Sequence, residues 1–345
     1  MNREQRIMAA LRNQEVDRVP VSAWMHFSEV DQDPISLAQT QVAFNEEYDF
    51  DFIKLMPFGT YSIQDWGAQL KIYCHKYHEP IVIAPGIKEV SDYSKLEVLP
   101  AYYGTWGKQL QLSQQISKII PKHTPYVQTI FSPISTLKKL AGDRLFKDIK
   151  ENPAEVHKAL EVITATTINF VKENINAGVS GFFLATQNAN YDLMNDEEFK
   201  EFGMKYDLEL IKSYADQTYF NIIHIHGDNI MFDTIAENYP VNCINWHDRH
   251  TFPSLSEARK KTDKCFLGGI QEVPYFVDGV LNYDSIMARS TKEQILEHAK
   301  EAIEEIDGKG FILGPGCVVD PKTAKENLKA LRESVEVLRK SVNLD

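Results

Sequence analysis

The chain has 345 residues, of which 43% are hydrophobic and 11% aromatic, and it carries a formal net charge of −12. This length suits a single large α/β barrel, and the acidic charge argues against a nucleic-acid-binding surface, because such surfaces need basic stripes. The four irregularly spaced cysteines form no disulfide framework, and the sequence shows neither a signal core nor a run of roughly eighteen apolar residues. We therefore expect a soluble cytoplasmic protein with no nucleic-acid or membrane partner.

Short apolar runs, each typical of a buried strand, alternate with longer amphipathic stretches along the chain. The predicted strands are residues 18–24, 51–56, 126–131, 181–185, 222–226, 243–246, 265–269 and 310–313. Helical periodicity is clearest at residues 153–176, 196–216, 255–262, 292–307 and 322–341. The pair Asp320-Pro321 predicts an N-cap and a proline at the first position of the last helix.

Eight strands, each followed by a helix, are typical of a (β/α)8 TIM barrel, and we predict one such domain over residues 1–345. A doubly wound open sheet is the alternative, but it would usually show a glycine-rich nucleotide turn after the first strand, and none is present in the sequence. The long aromatic stretch 57–108 is interpreted as an insertion over the barrel mouth after the second strand. It either contributes to a ligand site or serves only as a structural cover.

Two predicted strand ends carry side chains that commonly bind metals. His224 and His226 are two residues apart on one strand, so their imidazoles project in the same direction. Their Cα atoms would lie roughly 6.6 Å apart, which lets both rings reach one ion. Cys317 ends another strand and could be a third ligand, although a lone cysteine often packs as a small hydrophobic residue. Three protein ligands plus an open position are how catalytic zinc is held.

Further polar side chains occur at the carboxyl ends of the strands, where barrel enzymes have their active sites. His247 and Asp248 could act as an acid–base pair, because an aspartate beside Arg249 stays ionised and can orient an imidazole. Alternatively, Asp248 and Arg249 form ion pairs that close the barrel mouth. His26 is a third catalytic candidate with a similar structural alternative. Lys54 points either into the pocket or outward beneath a helix.

Several blocks of sequence resemble the uroporphyrinogen decarboxylase superfamily, which also includes zinc-dependent cobamide methyltransferases. The most specific blocks are His224-Ile225-His226-Gly227-Asp228 and Gly314-Pro315-Gly316-Cys317. The resemblance extends to Asp17-Arg18-Val19-Pro20-Val21 and Phe52-Ile53-Lys54-Leu55-Met56-Pro57, and so covers nearly the whole chain. It implies a (β/α)8 barrel with its site in the mouth.

The chain departs from the true decarboxylases at residues that those enzymes need. In the decarboxylases Trp-Met is followed by Arg-Gln-Ala-Gly-Arg, whose arginines hold the carboxylates of the tetrapyrrole. Here Trp24-Met25 is followed by His26-Phe27-Ser28-Glu29-Val30, so both arginines are missing. The decarboxylase aspartate falls on Phe52, unless the alignment slips onto Asp51, and the late histidine falls on Cys317. A substrate with many carboxylates needs fixed cations, so decarboxylation of uroporphyrinogen is not expected.

The methyltransferase branch resembles the chain more closely. Its zinc motif, His-x-Cys with a distant Cys, carries over onto His224, His226 and Cys317, with one thiolate replaced by an imidazole. Losing one thiolate leaves more positive charge on the zinc ion, so we expect a more Lewis-acidic site. In the family an acidic residue near the end of the sixth strand can complete the zinc shell, and here Asp248 is the nearest match, with His247 as the alternative.

The resemblance implies zinc-dependent transfer of a methyl group from a methyl-corrinoid, carried on a separate corrinoid protein, to a small-molecule acceptor such as a thiol or tetrahydrofolate. The residues expected to contact the corrinoid or wall the pocket are Trp24, Met56, Trp66 and Gln187. One alternative is a carboxy-lyase that acts on a tetrapyrrole or another carboxylic acid. A second alternative is a non-catalytic corrinoid-binding protein.

Overall fold

The structure is a computed structural model that describes residues 1–272, 275–277, 280–282 and 286–342, with side chains described in 1–272 and 286–336. The strands in these ranges are β1 (Ile53–Lys54), β2 (Gln69–Lys71), β3 (Ile81–Ala84), β4 (Tyr126–Phe131), β5 (Gly181–Thr186), β6 (Ile222–Ile225), β7 (Cys243–Trp246), β8 (Cys265–Ile270), β9 (Tyr275–Val277), β10 (Val280–Asn282) and β11 (Phe311–Pro315).

Seven parallel strands form the central sheet in the order β1-β4-β5-β6-β7-β8-β11. Neighbours in the sheet follow one another along the chain, as they do when each strand is joined to the next through a helical crossover. All residues of these strands are buried, which explains why they appear in the sequence as continuous apolar runs instead of alternating patterns. The predicted TIM-barrel class of α/β fold is confirmed by this curled parallel sheet.

The first predicted strand, residues 18–24, is the exception, because it makes only one ladder bridge, between Val21 and Leu313 of β11. Its contacts to the residues just before β1 are one backbone bond, from the Asp51 N–H to the Val21 carbonyl at 2.8 Å, and bonds made by side chains. The Val21 N–H donates to Asp51 Oδ2 at 2.8 Å, and Ser22 Oγ donates to the Phe52 carbonyl at 2.8 Å. Pro20 has no N–H to donate to a ladder. The segment therefore closes the barrel between β11 and β1 without forming a regular strand.

The helices are α1 (Arg3–Leu11), α2 (Pro34–Tyr48), α3 (Gly104–Ile119), α4 (Pro133–Ala141), α5 (Arg144–Glu151), α6 (Pro153–Asn176), α7 (Asp196–Glu198), α8 (Lys205–Lys212), α9 (Phe232–Asn238), α10 (Leu255–Arg259), α11 (Ile286–Arg289), α12 (Lys292–Glu305) and α13 (Lys325–Val342). The predicted helix 153–176 coincides with α6, and a π-helical turn at Phe199–Met204 joins α7 to α8 within the predicted 196–216. No described helix has the length and apolar character needed to cross a bilayer.

The prediction for the start of the last helix is wrong. The Asp320 carboxylate accepts a hydrogen bond from the Lys322 N–H at 2.7 Å, and the Asp320 carbonyl accepts one from the Thr323 N–H at 2.8 Å. These bonds form a local turn of the kind that aspartate side chains favour. The helix α13 then begins at Lys325, a few residues after the predicted cap.

The insertion after β1 contains the antiparallel hairpin β2–β3 and two short 3₁₀ helices, Gln64–Trp66 and Val90–Lys95. Its base is attached to the barrel through Tyr61, whose hydroxyl donates to the Thr129 carbonyl at 3.0 Å and whose ring meets Trp106 at 5.4 Å. Edge-to-face packing of large rings gives such a contact both area and orientation. The insertion is thereby held against the carboxyl ends of the strands.

Candidate metal centre and cavity

Four potential metal ligands converge at the carboxyl ends of three strands: His224, His226, His247 and Cys317. Their ligand atoms all lie within 4.8 Å of one another. Within the cluster, His226 Nδ1 and His247 Nε2 are 3.2 Å apart. Two nitrogens of a tetrahedral zinc site with Zn–N bonds near 2.05 Å would be roughly 3.3 Å apart. The spacing of these two imidazoles therefore suits ligation of one ion.

His224 is oriented by a buried amide on the neighbouring strand β7. Its Nδ1 lies 2.7 Å from Asn245 Oδ1, and Asn245 Nδ2 donates to the Leu267 and Pro315 carbonyls at 2.7 and 3.1 Å. Because the amide nitrogen is committed to these carbonyls, Oδ1 accepts a proton from His224 Nδ1. The hydrogen-bond network thus assigns the proton to Nδ1 and leaves His224 Nε2 free to bind a metal.

Glu272, which follows β8, positions two parts of the cluster at once. Its Oε1 lies 2.9 Å from His247 Nδ1, and its Oε2 accepts a hydrogen bond from the Gly316 N–H at 3.0 Å. The carboxylate is buried and holds both the His247 ring and the loop that carries Cys317. A carboxylate behind a ligating histidine is a common feature of metal sites. Sequence patterns alone give Glu272 no role, because nothing local indicates that a carboxylate after β8 faces a histidine after β7.

Burial determines the charge state of the cluster. It holds the pKa of His224 well below its ordinary value and, together with His247, lowers the pKa of His226 to about 4. Burial and the nearby Glu272 raise the pKa of Cys317 to about 12. Both of these imidazoles are thus neutral at pH 7 and can donate lone pairs, whereas a metal would have to displace the thiol proton of Cys317.

Asp248, predicted as the nearest fourth ligand, lies outside the cluster. Both of its carboxylate oxygens are 3.0 Å from the Gly269 nitrogen, and burial raises its pKa to about 7. Arg249 instead contacts Glu301 and Glu305 on α12. In this loop the structure therefore brings His247 to the cluster, turns Asp248 toward the Gly269 N–H and pairs Arg249 with α12.

A cavity of about 200 Å³ opens directly in front of the cluster. Four of the predicted catalytic and cofactor-binding residues line it, namely Trp24, His26, Met56 and Gln187. Trp66 does not line this cavity, because its ring packs against Trp106 at 6.0 Å and its Nε1 donates to the Glu97 carbonyl at 3.0 Å. It is part of the insertion's own core.

Lys54 and Lys139 also line the cavity. Of the two directions considered for Lys54, the structure shows the inward one: its side chain points into the cavity, and its Nζ lies 2.9 Å from Met56 Sδ. Lys139 comes from α4, and its position on a helix after β4 gives no sequence signal of the direction in which it points. Burial lowers the pKa of both ammonium groups to about 7.

The insertion contributes one charged residue to the cavity. Glu79 Oε2 lies 3.2 Å from His26 Nε2, so the insertion lines the pocket as well as covering it. Burial and the two neighbouring lysines lower the pKa of His26 to about 3. His26 is therefore a neutral imidazole that lies beside the Glu79 carboxylate.

The sequence and the fold are similar to those of known proteins. The sequence profile of uroporphyrinogen decarboxylase (URO-D) matches residues 2–338. The chain belongs to the uroporphyrinogen decarboxylase family. Within the family it is 21% identical, over 96% of both chains, to "Methylcobamide:CoM methyltransferase MtbA" of Methanosarcina acetivorans. It is also 21% identical to the uroporphyrinogen decarboxylase of Rickettsia felis, over 67% of this chain and 64% of that one.

A solved structure of a methyltransferase from Methanosarcina mazei has the same fold as this family member. It superposes with a TM-score of 0.79 at 18% identity and covers 98% of this chain and 99% of its own. These similarities confirm the predicted family and the predicted nearness to its methyltransferase branch. The relatives are enzymes of both kinds, methyltransferases and decarboxylases, and the prediction of an enzyme is confirmed at that level.

Proposed function

We propose that this protein is a zinc-dependent methyltransferase that moves a methyl group from a methyl-corrinoid, carried on a corrinoid protein, to a small acceptor such as a thiol. The observation that carries the proposal is the convergence of His224, His226 and Cys317 beside a cavity at the carboxyl ends of the strands. The similarity to a methylcobamide methyltransferase over 96% of both chains supports the same activity.

The donor atoms of the cluster fit zinc. Three imidazole nitrogens and one thiol sulfur are ligands that Zn²⁺ favours, and the second ring nitrogens of His224 and His247 are engaged by Asn245 and Glu272. A bound Zn²⁺ would act as a Lewis acid that lowers the pKa of a thiol acceptor.

Four protein ligands would close the zinc shell, whereas a catalytic site keeps one position open. We propose that His224, His226 and Cys317 are the permanent ligands and that His247 occupies the position where the acceptor exchanges. His247 directly follows β7 and precedes Asp248, which accepts a hydrogen bond from the Gly269 N–H of β8. Asp248 would then serve as a support for this loop rather than as a ligand.

The cavity favours a small acceptor over a multiply charged tetrapyrrole. Pockets that enclose drug-sized ligands measure roughly 300–1,000 Å³, and this cavity measures about 200 Å³. The arginines that hold tetrapyrrole carboxylates in the decarboxylases are replaced by His26 and Val30, and no arginine lines the cavity among the described residues. The methyl-corrinoid would approach the open side, near Trp24, Met56 and Gln187.

The proposal is tested by metal analysis followed by a methyl-transfer assay. The purified chain should contain about one zinc ion, and His226→Ala should lose it. A matched control is His123→Ala, because His123 lies before β4 at the amino end of the barrel and pairs with Glu4 there. Incubation with methylcobalamin and thiols, tetrahydrofolate or amines should remove the cobalt–methyl absorbance with the zinc-loaded parent and control, but not with His226→Ala.

Three results would contradict the proposal in different ways. A chain that binds no zinc would refute the metal centre. Zinc binding without methyl transfer to any acceptor would favour the non-catalytic corrinoid-binding protein. Turnover of a porphyrinogen carboxylate by the metal-free chain would favour the carboxy-lyase.

A further inference from the structure

Asp207, in the first turn of α8, is a fully buried carboxylate outside the cavity of the metal cluster. Its Oδ2 accepts a hydrogen bond from the Tyr239 hydroxyl at 2.8 Å. Its Oδ1 accepts none from any residue that the structure describes. Buried polar atoms in native proteins are nearly always bonded, so this oxygen requires a partner.

The chain neutralises another fully buried aspartate with its own cations. Asp51 pairs with Arg6 and with Arg18, each at 2.6 Å. Asp207, by contrast, forms no ion pair with any described residue, and the groups that bond to it or lie beside it are uncharged hydroxyls. An isolated buried charge costs a large free energy. Asp207 must therefore either keep its proton or be balanced by a bound cation.

Three hydroxyl groups from separate segments lie near this carboxylate. Tyr239 precedes β7 and bonds to it, and Ser132 follows β4 and lies beside it without hydrogen-bonding geometry. Tyr214 follows α8, and burial together with the nearby Asp207 raises its pKa. The Tyr214 hydroxyl is buried and makes no hydrogen bond to a described residue. Carboxylate and other oxygen atoms, with no nitrogen among them, are the donors that hard cations prefer.

Ser132 shows a local departure from the usual use of its side chain. It occupies the N-cap position of α4, where a serine hydroxyl commonly accepts a hydrogen bond from a backbone N–H of the first turn. The Ser132 side chain makes no such bond and instead lies beside Asp207. Its oxygen lone pairs are therefore available to a ligand next to the carboxylate.

We propose that Asp207, Ser132, Tyr214 and Tyr239 form a binding site for a monovalent metal cation, Na⁺ or K⁺. The carboxylate supplies one negative charge, so a monovalent ion leaves the buried site neutral, whereas a divalent ion would leave it with a net charge. The ion would bind Oδ1 and the hydroxyl oxygens, while Tyr239 keeps its hydrogen bond to Oδ2. The site connects α4, α8 and the segment before β7, so its role is to stabilise the fold, independently of methyl transfer.

Thermal unfolding in three salts tests the site. The purified chain would be unfolded at pH 8 in mixtures of NaCl or KCl with N-methylglucamine chloride at constant ionic strength. The organic cation screens surface charges equally but is too large for a site among buried side chains. Because a ligand of the folded state stabilises it, Na⁺ or K⁺ should raise the Tm by roughly 2–3 °C for each tenfold rise above its dissociation constant. The ion with the larger effect is the one whose size fits the site.

Variants then assign the response to this site. Asp207→Asn keeps the shape but removes the charge, so the Tm should no longer depend on which cation is present. Where N-methylglucamine is the only cation, this variant should be more stable than the parent at pH 8, and Na⁺ or K⁺ should narrow the difference. Tyr214→Phe keeps the charge and removes one ligand oxygen, so about tenfold more cation should be needed for the same shift. The matched control is Asp216→Asn, because Asp216 follows α8 and is exposed, and its response should equal that of the parent.

An equal Tm of the parent in all three salts would overturn the proposal and show that a proton balances Asp207. A response to Na⁺ or K⁺ that persists in Asp207→Asn would also overturn it, because the ion would then bind elsewhere. If one of the two variants fails to fold, the other still decides whether the response belongs to this site.

Discussion

Glu272→Gln is the substitution that most directly tests how the metal cluster is positioned. The two carboxylate oxygens of Glu272 accept hydrogen bonds from His247 Nδ1–H and Gly316 N–H. Glutamine has nearly the same shape but offers one oxygen and one NH₂ group. One of the two buried donors must therefore face another donor instead of an oxygen. The Gly316 N–H keeps a second, longer bond to the Ile270 carbonyl at 3.3 Å, whereas His247 Nδ1–H would lose its acceptor.

The expected cost follows from that single lost contact. A buried donor without its acceptor costs roughly 1–3 kcal/mol, and loss of a supporting contact behind a metal ligand typically weakens metal binding about 10–100-fold. A tenfold to hundredfold change corresponds to about 1.4–2.8 kcal/mol. The two ranges agree, so Glu272→Gln should bind zinc about 10–100 times more weakly than the parent chain.

The assay is a competition titration of zinc against a chromophoric chelator. Glu301→Gln provides a matched control, because Glu301 lies on α12 and pairs with Arg249 with 58% of its side chain exposed. Its zinc affinity should equal that of the parent. Thermal unfolding of the metal-free proteins shows whether each variant is folded. An unchanged zinc affinity in a folded Glu272→Gln protein would refute the role given to this carboxylate.

Three further substitutions test separate parts of the structure. Asn245→Leu removes the acceptor for the Nδ1–H of His224, so the same titration should show about 10–100-fold weaker zinc binding. Trp66→Ala should lower the free energy of unfolding in urea by about 3–5 kcal/mol and leave zinc affinity unchanged; a loss of zinc would contradict the placement of Trp66 in the core of the insertion. Burial raises the pKa of Asp207 to about 7, whereas in the unfolded chain the pKa of an aspartate is about 4. The unfolded chain therefore loses this proton first as the pH rises from about 4 to 7, and the free energy of unfolding falls over that range. Asp207→Asn removes this cost, so its free energy of unfolding should exceed that of the parent by up to about 4 kcal/mol at pH 8 and by less at pH 5. Equal differences at both pH values would refute the raised pKa of Asp207.

Local sequence patterns determined much of the barrel. Continuous apolar runs predicted the buried parallel strands because a strand covered on both faces has no polar side to display. The period of two along a strand placed His224 and His226 on one side. Residues 18–24 do not form the predicted regular strand, because the pairing of a strand depends on its neighbours. Here a few backbone bonds and the side chains of Asp51 and Ser22 replace a continuous ladder.

Tertiary structure alone decided which loop side chains reach the cluster. His247 and Asp248 are adjacent after β7, and no local period applies once the strand has ended, so the contacts with Glu272 and Gly269 determine which one turns inward. Lys139 lies on a helix and belongs to the cavity only because α4 packs beside the barrel mouth. The sequence by itself thus placed the candidate ligands His224 and His226 side by side, whereas the approach of His247 and the charges of the cavity depend on contacts between segments far apart in the chain.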